Sequence, residues 1–401
     1  MHWLQRNIRP TTYLHAALAA LVVAGMLGAC APAAPSPTPT ATPRAPAPPP
    51  IPTDMPVVAP DPTAAPTATL PPTPLPPPPE QIGPDSFPPG VNPLTGLLVD
   101  DPAALDHRPL LIKISNAPQV VRPQSGISAA DIIFEYYVEG GWTRFAAIFY
   151  SQGSDHVGSV RSARLPDLQL APAFDAILVF SGGSQGVVDT IRASDLYPWN
   201  VISPQFGYGE PHFVRFPREG LPYEHTLFTD TALLWQLSDE RGVRRTPNFQ
   251  FPGLAFHPLP APGGAPATYA RLDYAKTSVE WRYDPVTGRY LRWADGIPHT
   301  DALTAQQLGF ENVVVMGSTL EEHDLFPEKY FGTEKSLYIE LTASGPVTLL
   351  RDGEMFEGRW VRDSETAMFR FEGAGGPLLF KPGRTFFQVV RTGYEQLIVA
   401  P

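Results

Sequence analysis

The sequence predicts an α+β protein, in which an N-terminal α/β domain with a mixed sheet is followed by a mostly-β C-terminal domain of sandwich or barrel-like form. Two observations carry the prediction. Between Asn92 and Gly242 strand-like apolar runs alternate with helix-like runs, as they do in a layered α/β domain. Beyond Gly242 the helical pattern stops, and strands separated by turn residues follow one another to the end. A third observation says where folding begins: residues 31–90 are dominated by Pro, Ala and Thr, too poor in apolar side chains to offset the entropy of ordering. The expected segments are a leader over 1–30, a tether over 31–90, the α/β domain over 91–243, a linker over 244–268 and the β-rich domain over 269–401.

The leader has the three parts of a secretory signal peptide. Arg6 and Arg9 supply the positive charge, and Ala16 to Gly28 form an apolar run shorter than the roughly 20 residues needed to span a bilayer. It ends Leu27-Gly28-Ala29-Cys30, and Cys30 is the only cysteine in the chain. That ending resembles the bacterial lipobox, whose cysteine becomes a palmitate-bearing N-terminus. The resemblance implies a chain anchored to the cell membrane by lipid, on its extracytoplasmic side. With no second cysteine, neither a disulfide nor a thiolate metal site is available. The prolines of the tether favour polyproline II, so its reach approaches roughly 190 Å when fully extended.

Within the α/β domain PLLIKISN, ADIIFEYY, TRFAAIFY and DAILVF are the expected strands, with Gly140 and Gly141 turning the second into the third. QGVVDTIRAS and TDTALLWQLSDERG are the expected helices; Thr229 or Asp230 caps the second and Gly242 lies just past its end. In the β-rich domain SVEWRYDPVTGRYLRW is a hairpin signal, Asp352-Gly353 marks another turn, and Ala302 to Leu308 is a candidate short helix. Its tryptophans and Phe387 are expected to be core.

Acidic residues number 40 against 29 basic ones, a net charge of −11, and no Lys/Arg-rich face stands out, which argues against nucleic acid as a partner. There is no Walker A loop, no dinucleotide fingerprint and no pair of histidines at metal-binding spacing, so neither cofactor nor metal is expected. The chemistry concentrates in GSVRSARLPDL, residues 158–168. Pro166 suits the first turn of a helix, which places Arg161 and Arg164 at a strand-to-helix junction where free backbone donors favour anions. DAILVF followed by SGGSQG makes a second such junction, where Gly182 and Gly183 can present N–H groups beside Ser184. Arg144, Glu139 and His225 are the remaining candidates for the same site. One reading is therefore an anion site on this edge of the sheet, for a phosphate or carboxylate of a wall component or for a protein partner. The other is that the arginines pair with Asp131, Glu135 and Glu139 and simply pin the sheet.

The alternative is an enzyme, an envelope hydrolase or phosphotransferase acting on cell-wall material. Gly182 to Gly186 spell G-x-S-x-G between a strand and a helix, with Asp189, Asp195, His212 and His225 further along, as a serine hydrolase would need. The order of elements also resembles, faintly, the LytR-CpsA-Psr phosphotransferases, which act on cell-wall polymers. No catalytic residue is assigned on either ground.

Several phrases together resemble one family. NPLTG at 92–96, RPQSG at 122–126, ADIIFE at 130–135, EGGWTRF at 139–145, VGSVRSAR at 157–164 and SGGS at 181–184 are similar to the N-terminal domain of YerB-like bacterial lipoproteins. NVVV at 312–315, DGEMFEGRW at 352–360 and PGRTFFQVV at 382–390 resemble the domain that accompanies it. The resemblance implies a fold and a location and leaves the activity unknown. One departure stands at His225, which is followed by Thr226 where the family tends to have asparagine.

Overall fold

A computed structural model describes residues 80–327, 335–393 and 397–401. The leader, Cys30 and the tether up to residue 79 lie outside the described residues. Leu75–Pro401 form one compact unit.

Among the described residues thirteen of the strands form the body of the two main sheets, eight from the C-terminal half and five from the N-terminal half. The latter are β1 (Leu110–Ser115), β2 (Ile132–Tyr137), β3 (Thr143–Phe149), β4 (Ile177–Val179) and β5 (Val201–Ile202). The former are β6 (Tyr269–Tyr274), β7 (Thr277–Asp284), β8 (Arg289–Ala294), β9 (Asn312–Ser318), β10 (Ser344–Arg351), β11 (Glu354–Val361), β12 (Arg370–Gly373) and β13 (Thr385–Arg391). Among the described residues three α-helices accompany them: α1 (Leu165–Ala173), α2 (Gln185–Ala193) and α3 (Thr231–Glu240).

One 12-stranded mixed sheet runs through both halves in the order Gly376–Pro377, β12, β11, β10, β9, β13, β2, β3, β1, β4, β5, with Ala265–Pro266 beside β11. The halves meet where β2 lies parallel to β13, Ile132 opposite Thr385. A second sheet holds Ile297–Pro298, β8, β7, β6 and Ile398–Ala400. The architecture is thus α+β, with a mostly-β C-terminal half.

Side-chain alternation divides the apolar residues between the two faces of the large sheet. Leu111, Phe134, Tyr136, Ala146 and Ile148 face one cluster, which α1 and α2 cover with Leu170, Val187 and Ile191. Ile112, Ile114, Ile133, Phe145 and Phe149 face the other, which takes Leu234 of α3 and Leu272, Val279 and Trp281 of the second sheet. The turns follow the sequence. Gly141, at φ +73°, turns β2 into β3, and a Cβ there would lie 2.9 Å from that of Ala275. Asp352 and Gly353 both have positive φ, as a type I′ hairpin turn between β10 and β11 requires. Asp230 caps α3 by accepting from Ala232 N at 2.7 Å.

The structure departs from expectation at Ala302 to Leu308, which forms a turn closed by a Thr300–Gln307 bridge. The reason is tertiary: the buried Asp301 carboxylate accepts from Leu303 N but also from Gly126 N at 2.9 Å and Ser128 N at 2.8 Å, tying the loop to the N-terminal half. Residues between the expected domains also enter sheets, Ala255–Phe256 alongside Leu379–Phe380 and Ala265–Pro266 alongside Glu354–Met355.

Candidate functional site

β1 and β4 run parallel, so their C-terminal ends share one edge of the large sheet, the position where α/β sheets place ligands. Register decides which side chains meet there. Arg144 stands opposite Ser115 on one side and Tyr136 on the other, and Lys113 lies two residues before Ser115. All four therefore project from the face that α1 covers. The segment Ser159–Arg161 extends this edge: Arg161 N donates to Lys113 O and Ser115 N to Ser159 O, each at 2.9 Å. Val160 belongs to the opposite cluster, so Ser159 and Arg161 turn to the face of Arg144. Ser181 N donates to Arg161 O and Ala163 N to Gly182 O, so the two glycine- and arginine-bearing junctions are joined through their backbones.

The two arginines of GSVRSAR have different partners. Arg164, 7% exposed, donates from Nε to Glu139 Oε2 at 2.5 Å. Its backbone N–H donates to Asp167 Oδ2 at 2.7 Å, which ties the start of α1. Arg161 donates from Nη1 to the carbonyl of Glu224, and its buried Nε has no partner. Arg144 donates to the carbonyl of Ser162 at 3.2 Å. Among the described residues neither Arg144 nor Arg161 has a carboxylate within ion-pair distance. Burial, and then the neighbouring cations, hold Arg144 well below its ordinary pKa; Arg161 is brought down to about 10, burial again acting first.

Of the three acids that could have pinned these arginines, only Glu139 does so. Asp131 accepts from Asn92 Nδ2, Tyr150 N and Ser151, and Glu135 holds Arg292 of β8 at 2.7 Å. Among the described residues Glu139 Oε1 is left buried without a partner, as are Ser159 Oγ and Ser184 Oγ. Ser184 is the N-cap residue of α2, yet its side chain caps nothing. Asp189 is engaged by Gln185 and Arg192, so the G-x-S-x-G phrase has no acid or base hydrogen-bonded to its serine. His225, 3% exposed, meets Ser115 Oγ at 3.1 Å through Nδ1. Burial first, and Arg161 next, lower it to about 4, so it is neutral at physiological pH.

Beneath the arginines lies a trio that the sequence did not bring forward. Lys113 Nζ donates to Tyr136 Oη, Tyr136 donates to Asp167 Oδ1, and Lys113 lies 3.2 Å from the same carboxylate, all fully buried. Burial lowers Lys113 to about 7 against the pull of Asp167 and raises the Tyr136 phenol well above its usual value. The only sign of it in the sequence is a single charge inside the apolar run PLLIKIS. Among the described residues no cluster of three or more His, Cys, Asp or Glu could hold a metal ion, and no helix is long and apolar enough to cross a membrane.

Comparison with known proteins places this arrangement in a family. The family model for the N-terminal domain of DUF3048, a protein of unknown function, matches residues 94–244, and the model for its C-terminal domain matches 270–387. The chain is 28% identical over 302 residues to "Putative lipoprotein YerB" of Bacillus subtilis (strain 168), covering 74% of this chain and 85% of that one. The crystal structure of YerB from Bacillus subtilis matches with a TM-score of 0.63 at 25% identity, covering 77% of this chain and 99% of that one. With both of its domain models matched in order and one fold shared along most of the length, the chain belongs to the DUF3048 family of YerB-like proteins.

Proposed function

We propose that this protein is a lipoprotein, held at the outer side of the cell membrane by an acyl group on Cys30, and that it binds an anionic ligand of the cell envelope at the Arg144–Arg161 edge. The anchor is supported by the charge, apolar run and Leu-Gly-Ala-Cys ending of the leader, and by the name of the Bacillus subtilis relative. Treatment of the purified protein for lipid-modified peptides tests it: an acyl mass on a peptide beginning at Cys30 is expected, and an unmodified cysteine overturns it.

One observation carries the binding reading: the half-buried guanidinium groups of Arg144 and Arg161, neighbours in charge, donate only to backbone carbonyls. Arg164 and Arg292 meet carboxylates, and the equally buried Arg362 has every nitrogen on a backbone carbonyl, whereas the Nε of Arg161 donates to nothing. A phosphate or carboxylate would relieve the mutual repulsion and accept the free Arg161 Nε–H. Thermal unfolding of residues 75–401 in rising inorganic phosphate or citrate is the test. A ligand of the native state at a hundredfold excess over Kd adds about 2.7 kcal/mol, read as a rise in Tm. The rise is expected to vanish in Arg161→Gln and Arg144→Gln. A wild-type Tm that no anion moves overturns the reading.

A further inference from the structure

Beside His225 a cleft of about 390 Å³ opens between the Val121–Ser125 segment, the three-stranded sheet of Val157–Gly158, Phe213–Arg215 and Leu227–Thr229, and Leu303. Its size falls in the range of small-molecule sites. We infer that this cleft receives a hydroxylated ring with apolar faces, so that the ligand of the arginine edge is an acidic saccharide. The inference rests on the anion-binding reading above and names the class of its ligand.

The cleft adjoins the arginine edge through three residues. Ser159 and His225 line it, and Arg161 lies two residues past Ser159 on the same face while holding the carbonyl of Glu224. One wall is aromatic. His156 stacks flat on Phe228 with centroids 4.3 Å apart, and Phe216 meets both edge-on while remaining 49% exposed. An open ring face at the lip of a cleft is a platform for the C–H face of a sugar. Among the described residues no carboxylate and no lysine lines the cleft, and the one arginine there is Arg218.

The polar groups are arranged for a hydroxyl. Ser115 Oγ lies 3.1 Å from Ala117 O and 3.1 Å from His225 Nδ1; with its single proton on Ala117 O, Nδ1–H of His225 donates to Ser115 Oγ. That tautomer leaves Nε2 of the neutral imidazole as a bare acceptor, which a hydroxyl satisfies and an anion does not. Ser159 Oγ, 4% exposed on its residue and without a partner, is free to donate to the same hydroxyl oxygen. A bare phosphate would use the arginines and leave the rings, the imidazole and Ser159 unused; a neutral sugar would do the reverse. An acidic saccharide uses both.

Isothermal titration of residues 75–401 with digalacturonic acid, lactose and inorganic phosphate tests this. Digalacturonate is expected to bind at least about tenfold more tightly than either of the others, each of which meets half of the site. Phe216→Ala is expected to weaken digalacturonate and lactose by about tenfold and leave phosphate unchanged. Arg161→Gln is expected to weaken digalacturonate and phosphate and leave lactose unchanged. Ser159→Ala breaks no hydrogen bond within the protein, so it folds as the wild type and should still weaken both sugars. If phosphate binds through Arg161 while digalacturonate is no tighter and Phe216→Ala changes nothing, the saccharide inference falls and the anion reading stands. If lactose alone binds, the anion reading falls; if nothing binds, both fall.

Discussion

Glu135 and Glu139 lie four residues apart at the end of one strand, and each holds a buried arginine, yet their surroundings differ. Glu135 and its arginine, Arg292, are fully buried between the two halves of the molecule. Asn116 and Thr143 donate to one oxygen of Glu135 and Arg292 to the other. Arg292 also donates to His299 Nδ1, which leaves His299 Nε2–H to donate to Gln124 Oε1 at 2.5 Å. The Arg292 guanidinium lies over the rings of Phe145, Trp281 and Phe386, and its unpaired Nε sits within that packing. Glu139 has one oxygen on Arg164 and the other on nothing, with two further arginines nearby that lack any carboxylate. The comparison teaches that a buried arginine is not itself a sign of function. What marks the edge is incomplete pairing of charges at the open end of a sheet, against nearly complete pairing in its middle.

The largest effect is expected where pairing is most complete. Arg292→Met leaves the Glu135 carboxylate buried without its cation and should cost about 3–5 kcal/mol in urea unfolding of residues 75–401. A cost below about 1 kcal/mol would erase the distinction between the two regions. Acid comes next. His225 titrates near 4 in the folded state and near 6.5 unfolded, so the unfolded chain binds more protons between these values. Stability is therefore full above pH 6.5 and falls as pH drops toward 4, by up to roughly 3 kcal/mol from this residue. His299, lowered by burial and by Arg292, adds to the loss in the same direction. Unfolding measured from pH 7 to pH 4 should show a shallower slope in His225→Gln; an unchanged slope removes His225 from the account.

Smaller effects sharpen the contrast within the arginine pair. Arg164→Met should cost about 2–3 kcal/mol, since Glu139 then loses its only side-chain partner. Arg161→Gln should change stability by less than about 1 kcal/mol, because removing one of three neighbouring cations offsets the lost carbonyl contact. Equal costs for the two would mean that Arg161, too, serves only the fold. Ser184→Ala should lie within about 0.5 kcal/mol of wild type, since its hydroxyl makes no hydrogen bond; a larger loss would show a partner at that atom.

Much of the fold was legible because its signals are local. The apolar runs of β1 to β4, the cap at Asp230, the glycines at 140–141 and the Asp352-Gly353 turn depend on residues within a few positions of one another. The short helix expected over 302–308 failed because Asp301 gives its carboxylate to Gly126 and Ser128, about 175 residues earlier in the chain, and no local rule contains that contact. The site was half legible for the same reason. Arg161, Arg164, Glu139, Ser184 and His225 stood out as polar groups at strand ends, whereas Lys113, Tyr136 and Asp167 meet only because β1, β2 and α1 stack.

By itself, then, the sequence determined the class of fold, the two strand-to-helix junctions and the set of arginines to consider. Tertiary structure alone decided which arginine is paired and which is not. Ion pairing depends on distances of 2.5–4 Å between side chains from separate elements, such as Arg292 of β8 reaching Glu135 of β2 and Arg164 at the start of α1 reaching Glu139. Those distances are set by strand register and helix packing across the whole sheet, and they separate the arginines that meet a carboxylate from those that do not.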